Sequence, residues 1–260
     1  PNKIVNPGDP NEMRLLLDPE GAYAELPNGI ISALGKAATI MVWFTWENTD
    51  EGWQRVFDFG VSAGGEGFAT GNTSIKEIGG QFYLGSISEA QEYGMYVPQV
   101  GDGTEMRFES IVRPPDTGYM IHANNALLKK GDEVCVAVTL DGATQMAKLY
   151  LNGNLLGTST WPHDLANLHD VNNWLGRSQW NDLMFSGTYN ELRIYDIPLS
   201  SHWVKAYYEQ GPDNYTSTPN PCIWDESHPL DFDGNCVVNL LDLAIFAEQW
   251  LECGRLYGCN

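Results

Sequence analysis

Glu133-Val134-Cys135-Val136-Ala137-Val138-Thr139-Leu140-Asp141-Gly142-Ala143-Thr144-Gln145-Met146-Ala147-Lys148-Leu149-Tyr150-Leu151-Asn152-Gly153-Asn154-Leu155-Leu156 is the stretch whose reading decides the fold. Val134, Val136, Val138 and Leu140 recur at every second position, which puts one apolar face on a strand. Leu149-Tyr150-Leu151 and Leu155-Leu156 flank Asn152-Gly153, a dipeptide that accepts the positive φ of a type I′ turn. A strand followed by a tight hairpin predicts antiparallel sheet. Working outward, further short strands are predicted at Arg14–Leu17, Ala22–Leu26, Ala38–Trp46, Arg55–Gly60 and Glu191–Tyr195. One short helix is expected over His202–Tyr208, with Ser200 as a candidate cap and Gly211 as its stop. Residues 62–130 carry Gly64-Gly65, Gly79-Gly80 and Pro114-Pro115, and they read as long rim loops, the usual place for ligand sites.

The fold class this implies is all-β, a two-sheet antiparallel sandwich over residues 1–211. A Pro-, Ser-, Thr- and Asn-rich linker follows at 212–221, and a small module at 222–260. Hydrophobic residues make up 43% of the 260, enough for a large core. No stretch reaches the roughly 18 uninterrupted apolar residues of a membrane helix, so membrane insertion is not expected. The chain begins at Pro1 with no apolar leader, which reads as a mature or trimmed product. Fourteen Lys and Arg against 34 Asp and Glu give a net charge of −20, which repels phosphate backbones and argues against a nucleic-acid partner.

Cys135 stands alone in an apolar strand and is expected to be a free, buried thiol. Cys222, Cys236, Cys253 and Cys259 crowd the last segment without a C-x-x-C pair, which points to disulfide staples and a secreted, extracellular or cell-surface protein. Three connectivities are open. A helix over 240–251 would span roughly 18 Å, against about 4.4–6.8 Å between bridged Cα atoms, so Cys222–Cys236 with Cys253–Cys259 is preferred.

Three blocks resemble LamG-like members of the concanavalin A-like lectin/glucanase superfamily. They are Thr39–Phe44 leading to Arg55–Gly60, then Val136–Gly142 leading to Leu149–Gly153, then Leu175-Gly176-Arg177 through Phe185-Ser186-Gly187 to Glu191–Asp196. The resemblance covers about 13–211 and implies a jelly-roll sandwich. It also implies a rim calcium, with Glu191 and the turn at Asp18 as matching ligands. The glucanase branch carries a Glu-x-Asp-x-x-Glu strand that is missing here. Glu47, Asp50 and Glu51 have other spacing, and Asp225–Asp233 lies beyond the sandwich. The expectation is therefore non-catalytic binding of a polysaccharide or glycan, with glycoside hydrolysis a lesser alternative. Sugar rings stack on aromatic faces, and the candidates are Trp161, Trp174 and Trp180, with Tyr93 and Tyr96 in the mid-chain loops.

Asp231-Phe232-Asp233-Gly234-Asn235-Cys236-Val237-Val238-Asn239-Leu240-Leu241-Asp242 fits a calcium loop. Asp231, Asp233 and Asn235 take positions 1, 3 and 5, the Val237 carbonyl takes 7, Asn239 takes 9 and Asp242 takes 12. Val-Asn-x-x-Asp-Leu before a helix resembles a dockerin, which implies a cohesin-like partner. Two departures weaken that partner: Cys236 stands where glycine is usual, and only one repeat is present. The apolar stripe Leu243, Phe246, Ala247, Trp250 and Leu251 needs a cover. Self-assembly into a structural, cell-surface or filamentous array through this EF-hand-like module is the second functional reading.

Overall fold

In the computed structural model the described residues are 3–5, 14–17, 22–47, 54–62, 65–69, 76–78, 81–83, 91–96, 106–112, 117–123, 128–180, 182–214 and 244. The calcium loop 231–242, the four C-terminal cysteines and Asp18 lie outside them. Ala244 is helical and exposed.

The strands are β1 (Lys3–Val5), β2 (Arg14–Leu17), β3 (Ala24–Leu26), β4 (Ala37–Trp46), β5 (Arg55–Val61), β6 (Lys76–Ile78), β7 (Gln81–Tyr83) and β8 (Gln91–Tyr96). They continue with β9 (Met106–Val112), β10 (Thr117–Ala123), β11 (Glu133–Asp141), β12 (Met146–Leu151), β13 (Asn154–Thr160), β14 (Asn172–Leu175) and β15 (Gly187–Tyr195), followed by helix α1 (Ser201–Gln210). A seven-stranded sheet runs β1-β2-β15-β4-β11-β12-β13 and a six-stranded sheet runs β10-β9-β8-β5-β14-β3, with β6 and β7 paired apart. Their pairings are antiparallel.

The predicted strands form at or within a few residues of their expected bounds. Asn152 and Gly153 have φ of 49° and 76°, the two positive values that the I′ hairpin needs. Val134, Val136, Val138 and Leu140 pack with Ile40, Val42 and Phe44 between the sheets, and Phe57, Phe59, Met106 and Phe108 meet them from the six-stranded side. Ser200 stands at the helix N-cap in extended conformation, but its side chain makes no capping bond; its carbonyl accepts from Val204 N at 3.0 Å. The 62–130 region is not all loop. It supplies β6 to β10.

Two irregularities position the outer faces. A register shift between Tyr189 and Glu191 turns Tyr189 inward, while Glu191 and Arg193 face out. A second shift between Arg55 and Phe57 lets Val56 and Phe57 both enter the core and puts Arg55 on the outer face beside Asp58. The two bulges meet across the core, where Tyr189 Oη donates to the Val56 carbonyl at 2.7 Å. Burial pushes the Tyr189 phenol well above its ordinary value.

Helix α1 covers the other face of the seven-stranded sheet. Met41, Trp43, Cys135, Ala137 and Tyr150 pack there against Leu199 and Val204. Cys135 is free and buried, as its surroundings in sequence predict, and desolvation pushes its thiol pKa up.

Candidate functional site

The outer face of the six-stranded sheet carries charge where a plain sandwich would carry solvated side chains. Phe57 and Phe59 point into the core, so Asp58 points out. On β9, Met106 and Phe108 point in, so Arg107 and Glu109 point out. Arg55 and Asp58 are 1% and 0% exposed, and Arg107 and Glu109 are each 8% exposed. Buried charge is costly unless paired, and here it is. Arg55 Nε lies 3.2 Å from Asp58 Oδ2 and its Nη2 lies 3.0 Å from Asp182 Oδ2, while Arg107 Nη2 lies 3.3 Å from Glu109 Oε2.

One half of this face is overlaid by the loop between β14 and β15. Gln179 N donates to Asp58 Oδ2 at 2.8 Å, and Ser178 Oγ donates to Asp182 Oδ2 at 2.9 Å. Asn172, fully buried, ties a second loop to the first. Its amide donates to the Gly65 carbonyl and to Gln179 Oε1, each at 3.0 Å, and its oxygen accepts from Gly67 N at 2.7 Å. Arg177 Nη2 adds a bond to the Gly67 carbonyl at 3.1 Å. The bolted loops bring Phe68 and Leu183 to the surface at 42% and 41% exposure, with Trp180 half-buried on the same segment as Leu183.

The aromatic candidates separate. Trp161 is 0% exposed in the inter-sheet core with Leu165 and Leu168, so it is a packing residue and not a platform. Trp174 is also 0% exposed, although it lies on the outer face. The Arg177 guanidinium sits 4.0 Å above its ring, Tyr23 packs edge-on at 5.9 Å, and its indole donates to Glu25 Oε1 at 3.3 Å. The ring face a sugar would take is occupied by Arg177. Tyr93 and Tyr96 are on strand β8, not in loops, and pair with Phe59 and Arg55 respectively. Trp180 keeps the position expected of it, on a surface loop.

Glu191 does not fit the rim calcium. Its Oε1 and Oε2 accept from Arg193 at 2.7 and 3.0 Å, and Oε2 also accepts from Asp213 N at 2.6 Å. Arg193 Nη2 also donates to the Gly211 carbonyl at 3.0 Å, so the pair clamps the end of α1. Among the described residues, no group of three or more His, Cys, Asp or Glu could hold a metal ion. An open groove of about 570 Å³ lies at the start of β11, lined by Lys129, Gly131, Asp132, Glu133, Val134 and Asn152. It contains no aromatic ring and sits away from the charged face.

A laminin-G family model, described as the concanavalin A-like lectin/glucanases superfamily, matches residues 18–205. The chain belongs to that superfamily. Its fold resembles those of carbohydrate-binding modules. Domain 4 of AbnA, an extracellular arabinanase from Geobacillus stearothermophilus in complex with arabinotriose, is 18% identical; the match covers 79% of this chain and 80% of that one, with a TM-score of 0.54. The sialidase CBM40 of Ruminococcus gnavus bound to α2,3 sialyllactose is 15% identical, with 72% and 97% covered and a TM-score of 0.50. The NanB sialidase of Streptococcus pneumoniae is 15% identical, with 80% of this superfamily member and 28% of that chain covered and a TM-score of 0.50. Identities this low speak for the fold alone. Among curated proteins, no sequence matches this chain.

The charged face was the part that sequence reasoning missed. Met106-Arg107-Phe108-Glu109-Ser110 alternates charge with apolar side chains and could have been read as a strand with a charged outer face. Arg55 could not, because only the bulge separates it from Phe57 and Phe59.

Proposed function

We propose that this chain is a non-catalytic carbohydrate-binding module of an extracellular protein, taking its glycan on the outer face of the six-stranded sheet. The observation that carries the reading is the rim that presents Trp180 and Phe68, held in place by loops bonded to the buried Arg55–Asp58 pair and to Asn172. Glycan hydroxyls need fixed donors and acceptors, and sugar ring faces need an aromatic neighbour. Solved structures of similar fold hold arabinotriose and sialyllactose, which supports the same ligand class. The absence of catalysis rests on the acids themselves. Asp58 is engaged by Arg55 and the Gln179 amide, and Glu109 by Arg107, whereas glycoside hydrolysis needs two carboxylates open to the scissile bond.

Trp180→Ala is expected to weaken binding of any glycan found on a broad array by about tenfold or more, with thermal stability unchanged. Titration calorimetry of the two proteins reads the difference. A folded wild-type chain that binds no glycan on such an array would sink the reading.

Calcium belongs, in this proposal, to the 231–242 loop, whose oxygen-bearing residues fit positions 1, 3, 5, 9 and 12. Calcium titration of the intact chain is expected to show a binding event that Asp231→Ala removes. The same event persisting in the variant would place the ion elsewhere. The four cysteines of that segment support an oxidising, extracellular setting.

A further inference from the structure

Helix α1 carries an aromatic row that its own sheet covers on one side only. Trp203 and Tyr207, four residues apart, share one side of the helix, while Lys205 and Glu209 turn to water on the other. The Trp203 and Tyr207 rings lie 5.8 Å apart, and Tyr195 of β15 continues the row 5.2 Å from Tyr207. All three pack inward on the cluster of Trp43, Tyr150 and Val204. They are still only half-buried, so each keeps an open outer side. Adjoining aromatic rings left partly open make an apolar strip, and such strips mark interaction surfaces.

The chain leaves the sandwich at the same place. The Arg193 guanidinium lies 4.5 Å from the Trp43 ring centre and 5.8 Å from that of Tyr207, and it donates to the Gly211 carbonyl at 3.0 Å. Glu191 then accepts from Asp213 N at 2.6 Å, and the Asp213 carboxylate lies 3.8 Å from Arg14. Gly211 and Asp213 have φ of 82° and 63°, and these positive values turn the chain off the helix and across β15. The sequence beyond Asn214 therefore starts from a point pinned beside the row.

That sequence carries the matching surface. Leu243, Phe246, Ala247, Trp250 and Leu251 form one apolar stripe over 240–251, and Ala244, on the flank of the stripe, is helical and exposed. Isolated helices shorter than about 12–15 residues are marginal in water, and a segment of about 40 residues cannot bury such a stripe in a core of its own. Reach then decides what covers it. The tether from Asn214 to Leu240 is about 26 residues, with a flexible span of roughly 25–30 Å. Helix α1 is only about 15 Å long, so the whole row lies within range. A tether of this kind holds its stripe at an effective concentration on the order of 1 mM, which outcompetes the stripe of a second copy at micromolar concentration.

We propose that the 240–251 stripe docks in cis on the Trp203–Tyr207–Tyr195 row. Docked there, the C-terminal module stands on the outer face of the seven-stranded sheet. That face is opposite the rim presenting Trp180, which stays open.

Photo-cross-linking of the full chain carrying Trp203→p-benzoylphenylalanine tests the contact. Irradiation is expected to join position 203 to residues 243–251 within a monomer, read by peptide mass mapping and light scattering. A second measurement compares hydrogen exchange in the full chain and in its Phe246→Asp/Trp250→Asp variant. Amides of α1 are expected to exchange about tenfold faster in the variant, with β11 unchanged. Cross-links between two chains would give the row to a second copy and overturn docking in cis. Cross-links to another segment, or none to 243–251, would overturn it too, as would equal exchange of α1 in the two proteins. The cross-link is read in an otherwise native chain, so it decides the contact even where the double variant fails to fold.

Discussion

Replacing Gly187 by alanine is expected to destabilise the chain by about 3 kcal/mol or more, the upper range for overfilling a packed interior. Gly187 opens β15, opposite Leu17 on one side and Trp46 on the other. A Cβ there would stand 2.0 Å from the Thr45 carbonyl oxygen and 2.8 Å from Phe185 Cε1. The first neighbour is backbone of the central strand β4, which β11 holds on its other side, so it cannot give way without breaking a ladder. The second is a fully buried ring packed on Phe44 and Tyr189. For a domain of this size the melting temperature should fall by roughly 6–12 °C. Gly35→Ala is the comparison. Its φ of 78° is unfavourable for alanine, but nothing lies within 4 Å of the added methyl, so a cost of about 1 kcal/mol is expected. Chemical denaturation of the three proteins measures both. Equal losses at the two positions would mean that backbone conformation, not the Thr45 contact, governs the effect.

The contrast between those glycines shows which features were legible in sequence and which were not. The Asn152-Gly153 hairpin is written in two residues, because positive φ at both positions is a local demand. The core strands β4 and β11 are legible for a related reason: ten and nine residues of β-branched and aromatic character leave few alternatives. Gly187 gives no such signal. Its constraint comes from Thr45 and Phe185, and only pairing brings them together. The aromatic candidates separate for the same reason. Trp161 and Trp180 both stand in polar, loop-like surroundings, yet the segment after β13 folds the first into the core and the bolted loop leaves the second at the surface. Glu191 was placed correctly on the last strand, but its partner Arg193 is only two residues away. The bulge at residue 190 and the clamp on Gly211 and Asp213 decide where its carboxylate goes.

Removing the carboxylate of Asp58 should be the costliest polar change among the described residues. Asp58 and Arg55 are both essentially without exposure, and breaking a buried pair from one side typically costs about 3–5 kcal/mol, because the remaining charge stays desolvated. In Asp58→Ala the Gln179 amide loses its acceptor as well, and Arg55 loses the more buried of two carboxylates, keeping Asp182, which lies nearer to solvent. The damage is expected to reach the rim. Hydrogen exchange at Gln179 should rise more than exchange in β11, since the amide bond to Asp58 is part of what holds the loop bearing Trp180. Glycan affinity should fall with it, even though Asp58 itself is too buried to stand at the surface. The double variant Arg55→Met with Asp58→Leu separates pairing from shape. It removes both charges together, so stability should recover by a large part of the loss, whereas exchange at Gln179 should stay high because no acceptor returns. Recovery of both would mean that apolar packing alone holds the loop, and the ion pair would then serve the ligand rather than the fold. Recovery of neither would mean that Arg55 and Asp182 matter to the sandwich independently of Asp58.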